Sequence, residues 1–256
     1  MRIGPEVDTF DVLGVPVSIT TPIEASKNIQ RWSKDRKGRF VCLRDVHGIM
    51  QSRANPQLMD IHHNAAMVTP DGMPLVFLGK LRGHRLEQTC GANLLDQVLL
   101  DSQNSGLKHY FYGGKEGVVE ELKNVLIRNY PWLKIVGIGT PPFRPLTEKE
   151  LVELTSDIEE SGADVVWIGL STPKQEFLMQ EMVKRTGATF LGIGAVYDFV
   201  TGKVPRAPIW MQRLGMEWAF RLACEPRRLW RRYLVMAPKF LWAIATEKST
   251  ARTQRF

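Results

Sequence analysis

Six short apolar runs separated by helix-length segments set the strongest limit on how this chain folds. The runs cover residues 39–43, 66–69, 108–112, 134–138, 164–168 and 188–193, and segments 91–105, 115–129, 147–160 and 173–186 carry helical patterning between them. Strand–helix alternation at this spacing predicts a Rossmann-like α/β fold, a largely parallel sheet with helices on both faces. Ahead of it, Phe10 to Ile19 reads as an N-terminal β-hairpin turning at Gly14, and Thr21-Pro22 as the start of a helix. A chain of 256 residues suits one such domain with an appendage.

Several runs end in glycine: Gly113-Gly114, Gly137 with Gly139, Gly169, and Gly192 with Gly194. Open α/β sheets bind ligands beyond the carboxyl ends of their strands, where glycine admits close backbone approach and helix N-termini favour anions. The stretch beginning Gly192-Ile193-Gly194 places Tyr197 where a dinucleotide fingerprint needs glycine or alanine, and Gly137-Ile138-Gly139 fails likewise. A nicotinamide oxidoreductase is therefore disfavoured. There is no P-loop, and no Asp-x-Asp to clamp a divalent metal on a diphosphate. The five histidines lack metal-ligand spacing, so no metal is expected. Cys42, Cys90 and Cys224 are scattered and odd in number, which fits a reducing compartment. No secretory leader and no spanning apolar stretch of about 18–20 residues is evident, so a cytoplasmic protein that lies on a membrane is expected.

Two motifs carry candidate chemistry. Thr69-Pro70-Asp71-Gly72 follows a strand and precedes an apolar helix, so Asp71 reads as a helix N-cap or as a general base at the mouth of the sheet. In Ser171-Thr172-Pro173-Lys174-Gln175-Glu176, a helix start accounts for Thr172 and Glu176. It accounts less well for Lys174 and Gln175, which lie where they would meet a phosphate or a sugar hydroxyl.

Charge divides the chain. The net charge is +7, yet residues 207–256 hold ten Lys/Arg against three Asp/Glu, and the remainder is balanced at 24 of each. The same stretch holds four of the seven tryptophans: Trp210, Trp218, Trp230 and Trp242. We therefore divide the chain into an α/β domain over 1–206 and a helical basic–aromatic appendage over 207–256. Such a surface suits an anionic membrane or a nucleic acid, and its apolar part suits burial in a homo-oligomer equally. Arg221, Arg228 and Arg231 fall near one face if the helix is continuous, although Pro226 threatens a break.

These motifs, in this order, resemble the WecG/TagA/CpsF glycosyltransferase family (glycosyltransferase family 26). The matching residues are Thr69-Pro70-Asp71-Gly72, Thr172-Pro173-Lys174-Gln175-Glu176 and Gly194-Ala195-Val196-Tyr197-Asp198-Phe199. Arg206-Ala207-Pro208-x-Trp210, Glu217-Trp218, Arg221-Leu222 and Glu225-Pro226-Arg227-Arg228 continue the match, which spans roughly residues 8 to 240. The resemblance implies inverting, metal-independent transfer of a hexose-type sugar from a UDP-sugar to a polyprenyl-diphosphate-linked saccharide. Assembly of an exopolysaccharide or related envelope glycan would be its setting, at the inner face of the bacterial cell membrane, with no cofactor and no nucleic-acid partner. Asp71 would deprotonate the acceptor hydroxyl, Gln175 would contact donor sugar or acceptor, Asp198 the uridine ribose, and Phe143 would stack on uracil. Thr69, Gly113, Gly114, Gly139, Lys174, Glu176 and Tyr197 complete the implied donor and acceptor contacts, and Arg221, Arg228 and Arg231 would hold the diphosphate. Where family members often carry Thr-x-Asn at the end of the first parallel strand, this chain has Cys42-Leu43-Arg44. That departure implies different substrate contacts, argues against N-acetylmannosamine, and favours another sugar such as glucose. Arg44 would suit an acidic sugar or a diphosphate equally well.

Overall fold

The structure, a computed structural model, describes residues 4–213 and 215–253, and the side chains of residues 213, 228 and 247–253 lie outside that description. Strands β1 (Thr9–Val12) and β2 (Val15–Ser18) pair antiparallel in the expected hairpin. Helix α1 (Pro22–Asp35) starts at the expected proline, where Thr21 and Glu24 form a capping box that satisfies two otherwise orphaned N–H groups.

The six apolar runs become β3 (Arg39–Arg44), β4 (Met67–Pro70), β5 (Lys108–Gly113), β6 (Lys134–Gly139), β7 (Val165–Gly169) and β8 (Thr189–Gly192). They form one parallel sheet in the order β4-β3-β8-β7-β5-β6. Buried parallel strands show both faces to apolar layers, and β7 does so clearly. Val165 and Trp167 face α1, α5 (Gly91–Ser105), α6 (Val118–Asn129) and α9 (Val196–Val200). Val166 and Ile168 face the hairpin, α2 (Val46–Ala54), α3 (Pro56–Asn64), α7 (Glu148–Ser161) and α8 (Lys174–Met182). Helix α4 (Met73–Leu81), which follows β4, packs into this second layer through Leu75 and Leu78.

Apolar patterning alone did not divide residues 45–65. The backbone divides there because Asp45 caps α2, while the Asn55 side chain accepts from the N–H groups of Gln57 and Leu58 and Pro56 opens α3. Two expected helices are shorter than their patterns. Segment 115–129 becomes helical only at Val118, after Gly117 takes φ +77, and α8 ends at Met182 rather than at residue 186.

The C-terminal segment is a chain of short helices: α10 (Ile209–Arg213), α11 (Glu217–Cys224), α12 (Pro226–Trp230), a π-helical turn over Arg231–Val235, and α13 (Met236–Thr253). It is built into the fold. Phe240 and Ala243 of α13 are buried in the same layer as the hairpin and α2.

His109 on β5 lies fully inside the other layer. Trp167 Nε1 donates to its Nδ1 at 3.1 Å, its Nε2 meets Ser102 Oγ at 2.9 Å, and Ser102 donates onward to the Val98 carbonyl at 2.6 Å. That chain needs a neutral imidazole, and burial lowers its pKa to about 3. Because the unfolded chain protonates this histidine near pH 6.5, stability is full above that pH and falls as pH drops toward 3. Urea melts should show His109 alone removing about 2 kcal/mol between pH 6.5 and pH 5. In His109→Gln, less stable at neutral pH, the acid slope should be shallower by that amount, and an unchanged slope would mean that the imidazole is not held neutral.

Candidate active site

Beyond the carboxyl ends of β3, β4 and β8 lies a cavity of about 340 Å³. Arg44, Asp45 and His47 line it from the end of β3 and the start of α2, Asp71 from the end of β4, and Gly192 to Val196 from the loop after β8. Glu217, Arg221 and Arg232 close it from the C-terminal segment.

Asp71 is held by its backbone rather than by a capping role. Its N–H donates to the Arg44 carbonyl at 2.8 Å and its carbonyl accepts from Gln88 Nε2 at 2.8 Å. Helix α4 is capped by Gly72 with no side-chain bond, so the Asp71 carboxylate is free of cap duty and faces the cavity. Burial first, and then the negative charge of Asp45, raise its pKa to about 6 against the opposing pull of Arg232 and Arg221. A half-buried carboxylate in that range accepts a proton near neutral pH far better than an ordinary one.

Asp45 has the opposite fate. Its Oδ1 accepts from the Gly48 N–H at 2.9 Å, and its Oδ2 accepts from Arg232 Nη2 at 2.6 Å and Nε at 3.2 Å. Burial would raise this carboxyl, but Arg232 and the Gly48 N–H outweigh it and hold it below the ordinary range. Two acids a short way apart are thus driven to different protonation behaviour, the pattern that separates a base from a fixed charge. His47 stands beside them with Nδ1 2.8 Å from Met236 Sδ, and burial together with Arg232 lowers its pKa.

The floor of the cavity is a buried ion pair. Arg44 is 2% exposed and Glu176 0%. Arg44 Nη2 donates to Glu176 Oε1 and Nη1 donates to Thr172 Oγ1 at 3.1 Å. Gly48 leaves room for the guanidinium, since a Cβ there would stand 2.8 Å from Arg44 Cδ. Gln175 Nε2 adds a bond to Glu176 Oε1 at 2.9 Å and another to the Gly192 carbonyl at 3.2 Å, while its Oε1 accepts from the Gly194 N–H at 3.1 Å. Gln175 thereby clamps the loop after β8, whose Gly194 takes φ +60.

Of the residues singled out in the sequence, the cavity brings together Asp71, Arg44, Gln175 and Arg221. Glu176 lies directly beneath it. Cys42 is buried in the core layer, and Thr69 donates to the Thr89 carbonyl at 2.9 Å. Tyr197 is buried with its hydroxyl donating to the Trp167 carbonyl at 2.8 Å, and Asp198 sits half-buried in the first turn of α9. Gly113 packs on β7, where a Cβ would meet the Gly169 carbonyl oxygen at 2.6 Å, Gly114 follows just past the end of β5, and Gly139 pairs with Tyr112 at the end of β6. Phe143 is 98% exposed, with Lys174 Nζ 5.4 Å from its ring centre. Arg231 is exposed and stacks on Trp230 at 5.3 Å, while the Arg228 side chain lies outside the described residues. The sequence reading did not select Asp45, His47, Glu217 or Arg232. Asp45 and His47 adjoin Arg44 and were within reach of that motif, whereas Arg232 needed the path of the C-terminal helices. Among the described residues, no three His, Cys, Asp or Glu side chains converge as metal ligands would.

The chain belongs to the glycosyl transferase WecG/TagA/CpsF family, whose sequence profile matches residues 10–254. It is similar to the N-acetylglucosaminyldiphosphoundecaprenol N-acetyl-beta-D-mannosaminyltransferase of Bacillus spizizenii, 29% identical over 219 residues, covering 84% of this chain and 82% of that protein. The protein of the same name from Bacillus subtilis is 29% identical over 220 residues, covering 80% of this chain and 82% of its own length.

The buried pair has a measurable signature. Arg44→Met leaves the Glu176 carboxylate buried without its partner and should cost about 3–5 kcal/mol in chemical denaturation. Adding Glu176→Gln should recover much of that loss, and a double variant no more stable than the single one would contradict the pairing.

Proposed function

We propose that this chain is an inverting, metal-independent glycosyltransferase that moves a hexose-type sugar from a UDP-sugar to a polyprenyl-diphosphate-linked saccharide. The observation that carries the reading is Asp71, a carboxylate raised to about 6 that faces a cavity walled by Arg221 and Arg232. Asp71 takes the proton from the acceptor hydroxyl as its oxygen attacks the anomeric carbon of the donor. The bond from that carbon to the diphosphate breaks with inversion, and the two guanidiniums stabilise the departing charge, the role a divalent metal fills elsewhere. Asp45 holds Arg232 at the cavity wall and keeps Asp71 basic through its own negative charge.

The names of the two Bacillus relatives support a lipid-diphosphate acceptor, and they make N-acetylmannosamine a donor sugar to test beside glucose. The Arg44 charge is already met by Glu176, which favours a neutral sugar over an acidic one. We place the enzyme on the cytoplasmic face of the bacterial membrane, in exopolysaccharide or envelope-glycan assembly, with residues 207–256 as its membrane-associating part. No helix among the described residues is long and apolar enough to cross a membrane. Trp210, Trp218, Trp230 and Trp242 are exposed along the segment, where aromatic and basic side chains suit an anionic interface.

A UDP-release assay with lipid-diphosphate-sugar acceptor in vesicles tests the reaction. Asp71→Asn should lower kcat by about a thousandfold while UDP binding persists, and near-normal turnover would remove Asp71 as the base. Wild-type kcat should rise with pH through about 6, as Asp71 loses its proton, and then level. Asp45→Asn removes the charge that raises Asp71 and frees Arg232, so the acid limb should move to lower pH, and a limb that stays in place would separate the two acids. Deleting residues 207–256 should weaken vesicle binding and abolish turnover.

A further inference from the structure

Helix α4 is apolar on both faces, which its position at the protein surface does not require. Leu75, Val76, Leu78 and Gly79 face the core. Pro74, Phe77 and Leu81, spaced three and four residues apart, form a second stripe that is open to solvent, with Phe77 60% and Leu81 82% exposed. A surface helix of a soluble domain normally carries polar residues on its outer face, but Lys80 is the one charged residue in α4. Just beyond, residues 80–85 carry Lys80, Arg82, His84 and Arg85 with no acidic side chain. Lys80 and Arg85 are exposed, whereas Arg82 is anchored on the Asp11 carbonyl and the Phe10 ring.

We propose that α4 is a second membrane contact, on the catalytic body and separate from the C-terminal segment, with an anionic phospholipid surface as its occupant. An exposed apolar stripe ending in unpaired cations matches the acyl boundary and the anionic headgroups of such a surface. The start of α4 also meets the C-terminal segment. A Cβ on Gly215 would stand 2.8 Å from Met73 Cγ, so the start of α4 touches the link between α10 and α11, beside exposed Met216. Because α4 begins two residues after Asp71, seating this stripe in the headgroup layer brings the mouth of the cavity to the bilayer. The inference deepens the proposed function only in supplying a lipid-linked acceptor, since membrane contact itself needs no substrate.

The test uses the full chain with Phe77→Ser and Leu81→Ser combined, and a second variant with Lys80→Glu and Arg85→Glu. All four positions are exposed, so thermal melts should match wild type. Co-sedimentation with vesicles of phosphatidylglycerol and phosphatidylcholine, without sugar substrates, should show about a tenfold weaker partition for the first variant. The second should weaken partition to these vesicles and leave partition to pure phosphatidylcholine unchanged. UDP release with a short-chain, water-soluble acceptor should equal wild type in both, while release with acceptor in vesicles should fall. Unchanged partition in the first variant overturns the proposal. So does a wild-type dimer that the first variant dissociates in sedimentation velocity while vesicle partition is kept, since a second copy then covers the stripe. Absence of UDP release from wild type with every donor would count against the transferase reading and leave the vesicle result standing.

Discussion

The bond between Arg232 and Asp45 joins the two ends of this molecule's logic. Asp45 is set by the parallel sheet, as the cap of the helix that leaves β3, and Arg232 arrives from nearly two hundred residues later in the chain. Their contact supplies the last wall of the cavity. It also divides the labour of two neighbouring acids, with Asp45 kept charged and Asp71 raised toward neutrality. Without the C-terminal segment, the ends of β3, β4 and β8 would open to bulk water, and both effects would weaken through solvation.

Beneath that wall lies a layer of polar groups, most of them buried, that bond to one another at the floor of the cavity. Arg44, Thr172, Gln175 and Glu176 close a network whose outward product is the shape of the loop from Gly192 to Gly194. Arg44 and Gln175, which line the cavity, are thereby also part of a rigid frame. Such networks tolerate little partial substitution, because each member's bonds satisfy another's burial.

The sheet was legible because its signal is local. Each apolar run is a strand within one residue of its expected ends, and Pro22 and Gly91 mark helix starts that depend only on neighbouring residues. Asp71 was legible for a similar reason, lying where a strand ends and an apolar helix begins. Tyr197 and Thr69, singled out by the same motifs, hold backbone beside the site through their bonds to the Trp167 and Thr89 carbonyls. The C-terminal arginines depended on something no short pattern reveals. Continuous helical spacing brings Arg231 toward the face of Arg221, but Pro226 starts a new helix and the π-helical turn over Arg231–Val235 shifts the phase. Arg232 turns inward instead.

That turn has a further consequence for how the segment tolerates change in length. A π-helical turn accommodates one residue more than the α-helix around it, so everything after it is rotated relative to an uninterrupted helix. Loss of a single residue between 231 and 235 would let the turn relax into ordinary α-helix. Each residue of α-helix advances the chain by about 100°. Phe240 and Ala243 would keep their place in the layer they share with the hairpin, because the lost residue and the lost π-turn cancel, whereas the same loss within α13 ahead of Phe240 would swing them out by about that angle. In this protein, the extra residue is slack that the chain can give up at this one place without turning the rest of the C-terminal segment.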